Sequence, residues 1–337
     1  MAVLRDGVPA GNPSSVHAEG RHARAGVEAA RARIGAFVGT PADNVVFMSG
    51  GSEANATALR PGALRARDGR PVERLLVGAT EHPSVLQGHR FPDVEPPVRV
   101  DGAGRIDLDD LRTRLTGAAS TLVSIQAANS ETGVIQALPE ILAVVHEAGA
   151  VLHVDAVQAA GRIPLAFDEL GIAAMSLSSH KLGGPMGIGA LVIARDLVGP
   201  EAALVSGGGQ QRGLRAGTEN VPGIVGFGIA CEAAARDLVG ESARLAALRD
   251  AAERAVRRLA PDAVIFGAGI CRLPNTLSFA VPGLKAATAV MALDLSGIAV
   301  SSGSACSSGK VGRSHVLGAM GLAEGEHVKY PPGIMFS

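Results

Sequence analysis

Between residues 44 and 194 the chain alternates short apolar runs with segments of helical character, and this alternation limits its fold more than any other feature. NVVFM (44–48), RLLVGA (74–79), PVRV (97–100), TLVSIQAA (121–128), AVLHVDA (150–156), AAMSLSS (173–179) and GALVIA (189–194) read as strands. SGGSEANA, PSVLQGH, DLDDLRTRL and PEILAVVHEAG lie between them and read as helices, the first ended by Pro61. Strands that are apolar along their whole length need cover on both faces. The expected architecture is therefore α/β, a mostly parallel sheet covered by helices. Ser14 and Ser15 stand before an Ala/Arg-rich stretch, 15–38, that reads as a helix they would cap.

After about residue 221 the texture changes. Two long helical patterns, VPGIVGFGIACEAAARDL and ESARLAALRDAAERAVRRL, lead into NTLSFAV, AATAVMALDLS, IAVSSGSA and SHVLGAMG, read as strand, helix, strand and helix. This predicts a smaller α+β C-terminal domain, with boundaries at 1–239 and 240–337. The closing YPPGIMFS follows neither period. A length of 337 residues, 47% of them hydrophobic, supports two cores.

Charge and cysteine content narrow the function classes. Lys plus Arg is 31 and Asp plus Glu is 32, so no bulk field draws the chain to nucleic acid or an anionic membrane. No apolar run reaches the roughly 18 residues of a spanning helix, and MAVLRDG is too short and charged for a secretory leader. Cys231, Cys271 and Cys306 are too scattered for a disulfide framework or a CxxC metal site. Cys231 and Cys271 read as apolar-set thiols. A cytoplasmic protein without a metal is expected.

The lysines are few: Lys181, Lys285, Lys310 and Lys329. Lys181 follows a strand and Ser-Ser-His and precedes the small-residue loop GGPMGIG. It reads either as a surface lysine or as a Schiff-base former, since burial tunes a lysine for that chemistry. Asp155 and Gln158 stand at the end of AVLHVDAVQ, where open α/β sheets place their ligand crevice. A lysine for an aldehyde and an acid for a ring nitrogen are what pyridoxal phosphate needs. One helix and one strand fit between Gln158 and Lys181. Gly51 and Ser52, at the head of a helix, offer N–H groups and a hydroxyl to a phosphate, although such residues are also ordinary caps. Ser178, His180 and Thr218 are further donors, and His82 follows a strand. The chain has no GxxxxGK[ST] or GxGxxG pattern. Cys306 lies among Ser and Gly in VSSGSACSSG, a setting in which a thiol is either incidental or reactive.

In order, GNPSSVHAEGR, SGGSEAN, ATEHPSV, ANSETGVIQ, HVDAVQAAG, SLSSHKLGGPMGIGAL, GGGQQRGLRAGTEN, PNTLSF and SSGSACSSG resemble a cysteine desulfurase of the NifS/IscS type, within the class V aminotransferase group of fold-type I pyridoxal-phosphate enzymes. The resemblance covers about nine tenths of the chain. It implies that Lys181 holds the cofactor and moves protons, that His82 stacks on the ring, that Asp155 pairs with the ring nitrogen and that Gln158 bonds the ring hydroxyl. Gly51, Ser52, Ser178 and His180 would hold the phosphate, with Thr218 arriving from the partner subunit of a homodimer. Cys306 would take sulfur from L-cysteine as a persulfide, release L-alanine and pass the sulfur to an acceptor such as an iron–sulfur scaffold.

The chain departs from the family pattern in three places. Asn129-Ser130-Glu131 stands where the family has Asn-Asn-Glu, so Ser130 occupies a cofactor-contact position. The family's N-terminal strand does not precede GNPSSVH, and after MGL the chain reads AEGEHVKYPPGIMFS, with no arginine after Arg313 to clamp a substrate carboxylate. Reduced turnover is the expectation. A cofactor- or partner-binding remnant, a selenocysteine lyase, an aminotransferase and a thiol hydrolase built on Cys306 are the alternative readings.

Overall fold

The computed structural model describes residues 11–93, 95–117, 120–284, 286–302, 314–322 and 334–336. Its helices are α1 (Ala18–Val38), α2 (Gly51–Ala58), α3 (Pro83–Leu86), α4 (Leu108–Leu115), α5 (Leu138–Glu147), α6 (Phe167–Leu170), α7 (Val221–Arg236), α8 (Leu238–Leu259), α9 (Ala286–Leu295) and α10 (His315–Ala319). The strands are β1 (Val45–Met48), β2 (Arg74–Val77), β3 (Thr121–Gln126), β4 (Val151–Asp155), β5 (Ala174–Ser178), β6 (Gly189–Ile193), β7 (Val264–Ile265), β8 (Leu277–Ala280), β9 (Ser301–Ser302) and β10 (Ile334–Phe336).

Six strands form one sheet in the order β1-β6-β5-β4-β3-β2. β2 to β5 run parallel, and β6 runs antiparallel to both of its neighbours. The expected mostly parallel sheet is present. On one face Val123, Ile125, Leu152, Val154, Met175 and Leu177 pack under α1, α4, α5 and α7. Here α1 and α7 touch through small residues: a Cβ on Gly228 would lie 2.8 Å from Ala30 Cβ. On the other face Leu122, Val151 and Ala174 pack with Ala54 and Ala58 of α2. Each large apolar side chain buried this way contributes about 1.5–3 kcal/mol.

Strand alternation gives the α2 face a gradient along the strands. Its apolar row gives way to Ser124, His153 and Ser176. His153 bonds both hydroxyls, Nδ1 to Ser124 Oγ and Nε2 to Ser176 Oγ, each at 2.9 Å. Two residues further on come Gln126, Asp155 and Ser178, at the carboxyl ends of three parallel strands.

A second sheet, β7-β8-β10-β9, is antiparallel throughout and packs on α9. Ile334–Phe336 is an inner strand of it, which corrects the reading of YPPGIMFS as patternless: three residues are too few to show a period. PVRV is not a strand. It makes isolated bridges only, Gly78 with Val98 and Val100 with Ile106. The cap of α1 is His17, whose Nδ1 accepts the Gly20 N–H at 3.2 Å, and not Ser14 or Ser15. No helix of the described residues is long and apolar enough to cross a membrane.

Candidate active site

Five strand ends and the turns that follow them enclose a cleft of about 210 Å³. Gly51, Ser52, His82, Ser130, Asp155, Gln158, Ser178, His180 and Lys181, nine residues singled out from sequence, all line it. Thr218 does not. It is exposed beside Phe47–Ser49 and Gly187–Ile188, outside the cleft. Cys306 lies outside the described residues.

Each group is positioned by the local fold. β1 passes through Ser49 and Gly50 into α2, whose first N–H groups precede any intrahelical acceptor. Gly51 is required there, since a Cβ would sit 2.6 Å from Val157 Cγ2 on the opposite wall. Gly189 gives the same turn its clearance: a Cβ on it would lie 2.7 Å from the Gly50 backbone. Ser49 N–H donates to Glu53 Oε2 at 2.7 Å, and Arg215 bonds Glu53 Oε1 at 2.9 Å, which ties the segment bearing Thr218 to this helix.

Asp155 closes β4, buried. Its Oδ1 accepts the Val157 N–H at 3.0 Å, and Oδ2 accepts Asn55 Nδ2 at 2.8 Å. Burial raises its pKa against these two donors and the neighbouring His82. His82 caps α3, with Nδ1 accepting the Ser84 N–H at 3.1 Å. Burial lowers its pKa; Asp155 opposes that shift, and Lys181 and His315 add to it. Ser178 Oγ lies 2.9 Å from His180 Nδ1, and burial followed by Lys181 lowers the His180 pKa. Lys181 sits in the 3₁₀ turn Ser179–Leu182, its carbonyl accepting Arg162 Nη2 at 3.3 Å. Asn129 Oδ1 accepts the N–H groups of Glu131 and Thr132, both at 2.9 Å, and so folds the turn that presents Ser130.

Behind this wall lies Glu81, fully buried, with a pKa pushed well above the usual carboxylate range by burial. Its Oε1 accepts the Gln126 N–H at 2.7 Å, and its carbonyl meets His315 Nε2 at 2.9 Å. Ser314 Oγ donates to Glu131 Oε2 at 2.5 Å. The head of α10 is thereby fastened to two turns of the cleft.

Asn55, Ser84 and Gln126 also line the cleft and were not singled out from sequence. Gln126 had a readable signal, a polar residue ending an apolar strand, as Asp155 does. Cys231 is buried as expected, its thiol pushed up to about 12 by burial. Cys271 corrects the reading of an apolar setting: it is exposed, in the loop whose carbonyl accepts the Ile135 N–H. Among the described residues no group of three or more His, Cys, Asp or Glu side chains could hold a metal.

Residues 8–320 match the family described as aminotransferase class-V. A cysteine desulfurase of Cereibacter sphaeroides is 41% identical over 323 residues, 92% of this chain and 79% of that protein. This chain belongs to the cysteine desulfurases of the class V aminotransferase family. Cysteine desulfurase IscS of Dictyoglomus turgidum is 38% identical over 93% of this chain and 79% of its own length. The NifS-like protein of Rickettsia africae superposes with a TM-score of 0.85 at 31% identity, covering 97% of this chain and 86% of that one. The fold is that of the NifS-like enzymes of fold-type I.

Proposed function

We propose that the cleft binds pyridoxal phosphate and that the chain removes sulfur from L-cysteine, giving L-alanine and a persulfide on Cys306. The observation that carries this reading is the convergence of Lys181, Asp155 and His82 on one cleft with hydroxyls and free N–H groups at one end. The residues fit the cofactor. A buried acid with two donors among the described residues suits a cationic ring nitrogen, and Gly51 N–H, Ser52, Ser178 and His180 suit a phosphate. When bound, the cofactor supplies an electron sink for the substrate Cα.

The chain's own residues do the rest. Lys181 Nζ is the covalent anchor and a base for the Cα proton. His82 covers the ring face and, as a neutral imidazole, holds a proton at Nε2 that it can lend. Gln158 and Ser130 orient the ring edge. The Cys306 thiolate forms a bond to the substrate sulfur as the Cβ–S bond breaks, and a proton goes to Cβ. The persulfide sulfur then passes to a carrier protein, such as an iron–sulfur scaffold. Thr218, exposed outside the cleft, is proposed to serve the phosphate of a second copy in a homodimer. Residues 1–239 are proposed as the cofactor domain and 240–337 as the domain that brings Cys306.

The test is alanine formation from L-cysteine and a reductant by the cofactor-loaded chain. Alanine above a Cys306→Ala control supports the reading. None, in a chain that still takes up the cofactor, overturns it in favour of cofactor binding without turnover.

A further inference from the structure

Asn55 stands in the second turn of α2, buried against the cleft. Its Nδ2 donates to Asp155 Oδ2 at 2.8 Å and to Ser84 Oγ at 2.9 Å. Ser84 Oγ in turn lies 2.7 Å from His82 Nδ1, the atom that already accepts the Ser84 backbone N–H. A backbone N–H can only donate, so Nδ1 is an acceptor and the ring proton sits on Nε2. The Ser84 hydroxyl accepts from Asn55 and is free to turn its own proton toward Nδ1.

The direction of this chain is set by charge. Turning the Asn55 amide over would aim Oδ1 at the Asp155 carboxylate. The orientation that avoids this leaves Oδ1 buried with no partner among the described residues, a cost a helix position would not carry for packing alone. Alanine or leucine would serve an apolar contact there better than asparagine.

Resting on the reading of the cleft as a pyridoxal-phosphate site, we infer that Asn55 is a positioning residue that joins its two sides. One N–H holds Asp155 as a charged acceptor for the ring nitrogen. The other, through the Ser84 hydroxyl, gives His82 Nδ1 a second donor beside the Ser84 backbone N–H and so holds the ring in place as the Nε2–H tautomer. Asn55 thus serves both branches, and Ser84 serves one.

The test uses the full chain with ¹⁵N-labelled histidine, first without cofactor. His82 is expected as the Nε2–H form throughout, since the Ser84 backbone N–H still donates to Nδ1, with the Nδ1 resonance shifted by loss of its second donor in Ser84→Ala and, more weakly, in Asn55→Leu. Titration with pyridoxal phosphate is then expected to show a dissociation constant raised about tenfold in Asn55→Leu, the loss of one hydrogen bond to a charge, and much less in Ser84→Ala. Unchanged His82 spectra in both variants, or equal affinity losses, overturn the inference. If Asn55→Leu does not fold, Asn55→Ser replaces it, since serine cannot reach both partners. An unaltered chain that takes up no pyridoxal phosphate defeats the cofactor reading instead, while the His82 spectra still decide the role of Asn55.

Discussion

The two sheets are built on opposite plans. In the six-stranded sheet β3, β4 and β5 are buried along their whole length, and Ser124, His153 and Ser176 form a hydrogen-bonded row on one face. The four-stranded sheet has strands of two to four residues, and the helix that leads into it, α8, fully buries none of its residues. Leu259, Met291 and Leu295 on that side are exposed. One region is a rigid seat with preset polar groups. The other is lightly built. Under the proposed function, holding a ring and handing off a sulfur atom place different demands on a fold, and the two plans suit those two demands.

The sharpest way to break this comparison is Lys181→Ala. It should abolish covalent cofactor capture and cut alanine formation by at least ~10³-fold, whereas changes around the second sheet should leave capture intact. The measurement is the absorbance of the bound cofactor after borohydride treatment. Retained covalent label in Lys181→Ala would move the anchor elsewhere.

The buried row gives a second, smaller effect. Burial holds the His153 pKa at about 3 against an ordinary 6.5. The unfolded chain therefore binds the extra proton first, and the stability from keeping His153 neutral is complete above pH 6.5. It is lost as pH falls toward 3, by up to about 1.4 kcal/mol per pH unit. Urea melts between pH 7 and 4 should show a shallower loss in His153→Gln than in the unaltered chain. Parallel slopes would mean the ring is not buried neutral.

The smallest effect is expected at the seam. Ser314→Ala leaves Glu131, already raised in pKa by burial, without its hydroxyl donor. A cost of about 1–3 kcal/mol should follow, with slower alanine formation and unchanged cofactor uptake. Altered uptake would mean the two regions share their rigidity.

Much of the seat was legible. TLVSIQ, VLHVD and AMSLS each carry an apolar residue, then a polar one, then a site-facing polar one at alternate positions, and strand ends in such sheets face the crevice. Asp155 and Ser178 could be named from their places at strand ends, and Lys181 from the scarcity of lysines and its place between Ser-Ser-His and a small-residue loop. Asn55 and Ser84 could not, because their roles depend on partners 100 and 29 residues away in sequence and on no local period. PVRV had the right composition but no continuous ladder to join. Ile334–Phe336 failed the opposite way: its partners Leu277–Phe279 are far upstream, and three residues state no preference of their own.

β5 and β6 are the one pair of consecutive strands in the large sheet that run antiparallel, and Lys181 lies in the hairpin between them. Both ends of that hairpin are pinned: Ser179 N–H reaches the Ile188 carbonyl at 3.2 Å, and Gly184 N–H reaches the Ser179 carbonyl at 3.0 Å. The lysine is thus an arm on a fixed pivot. Its ammonium can sweep through the cleft by rotation about its own four methylenes, with no movement of the main chain.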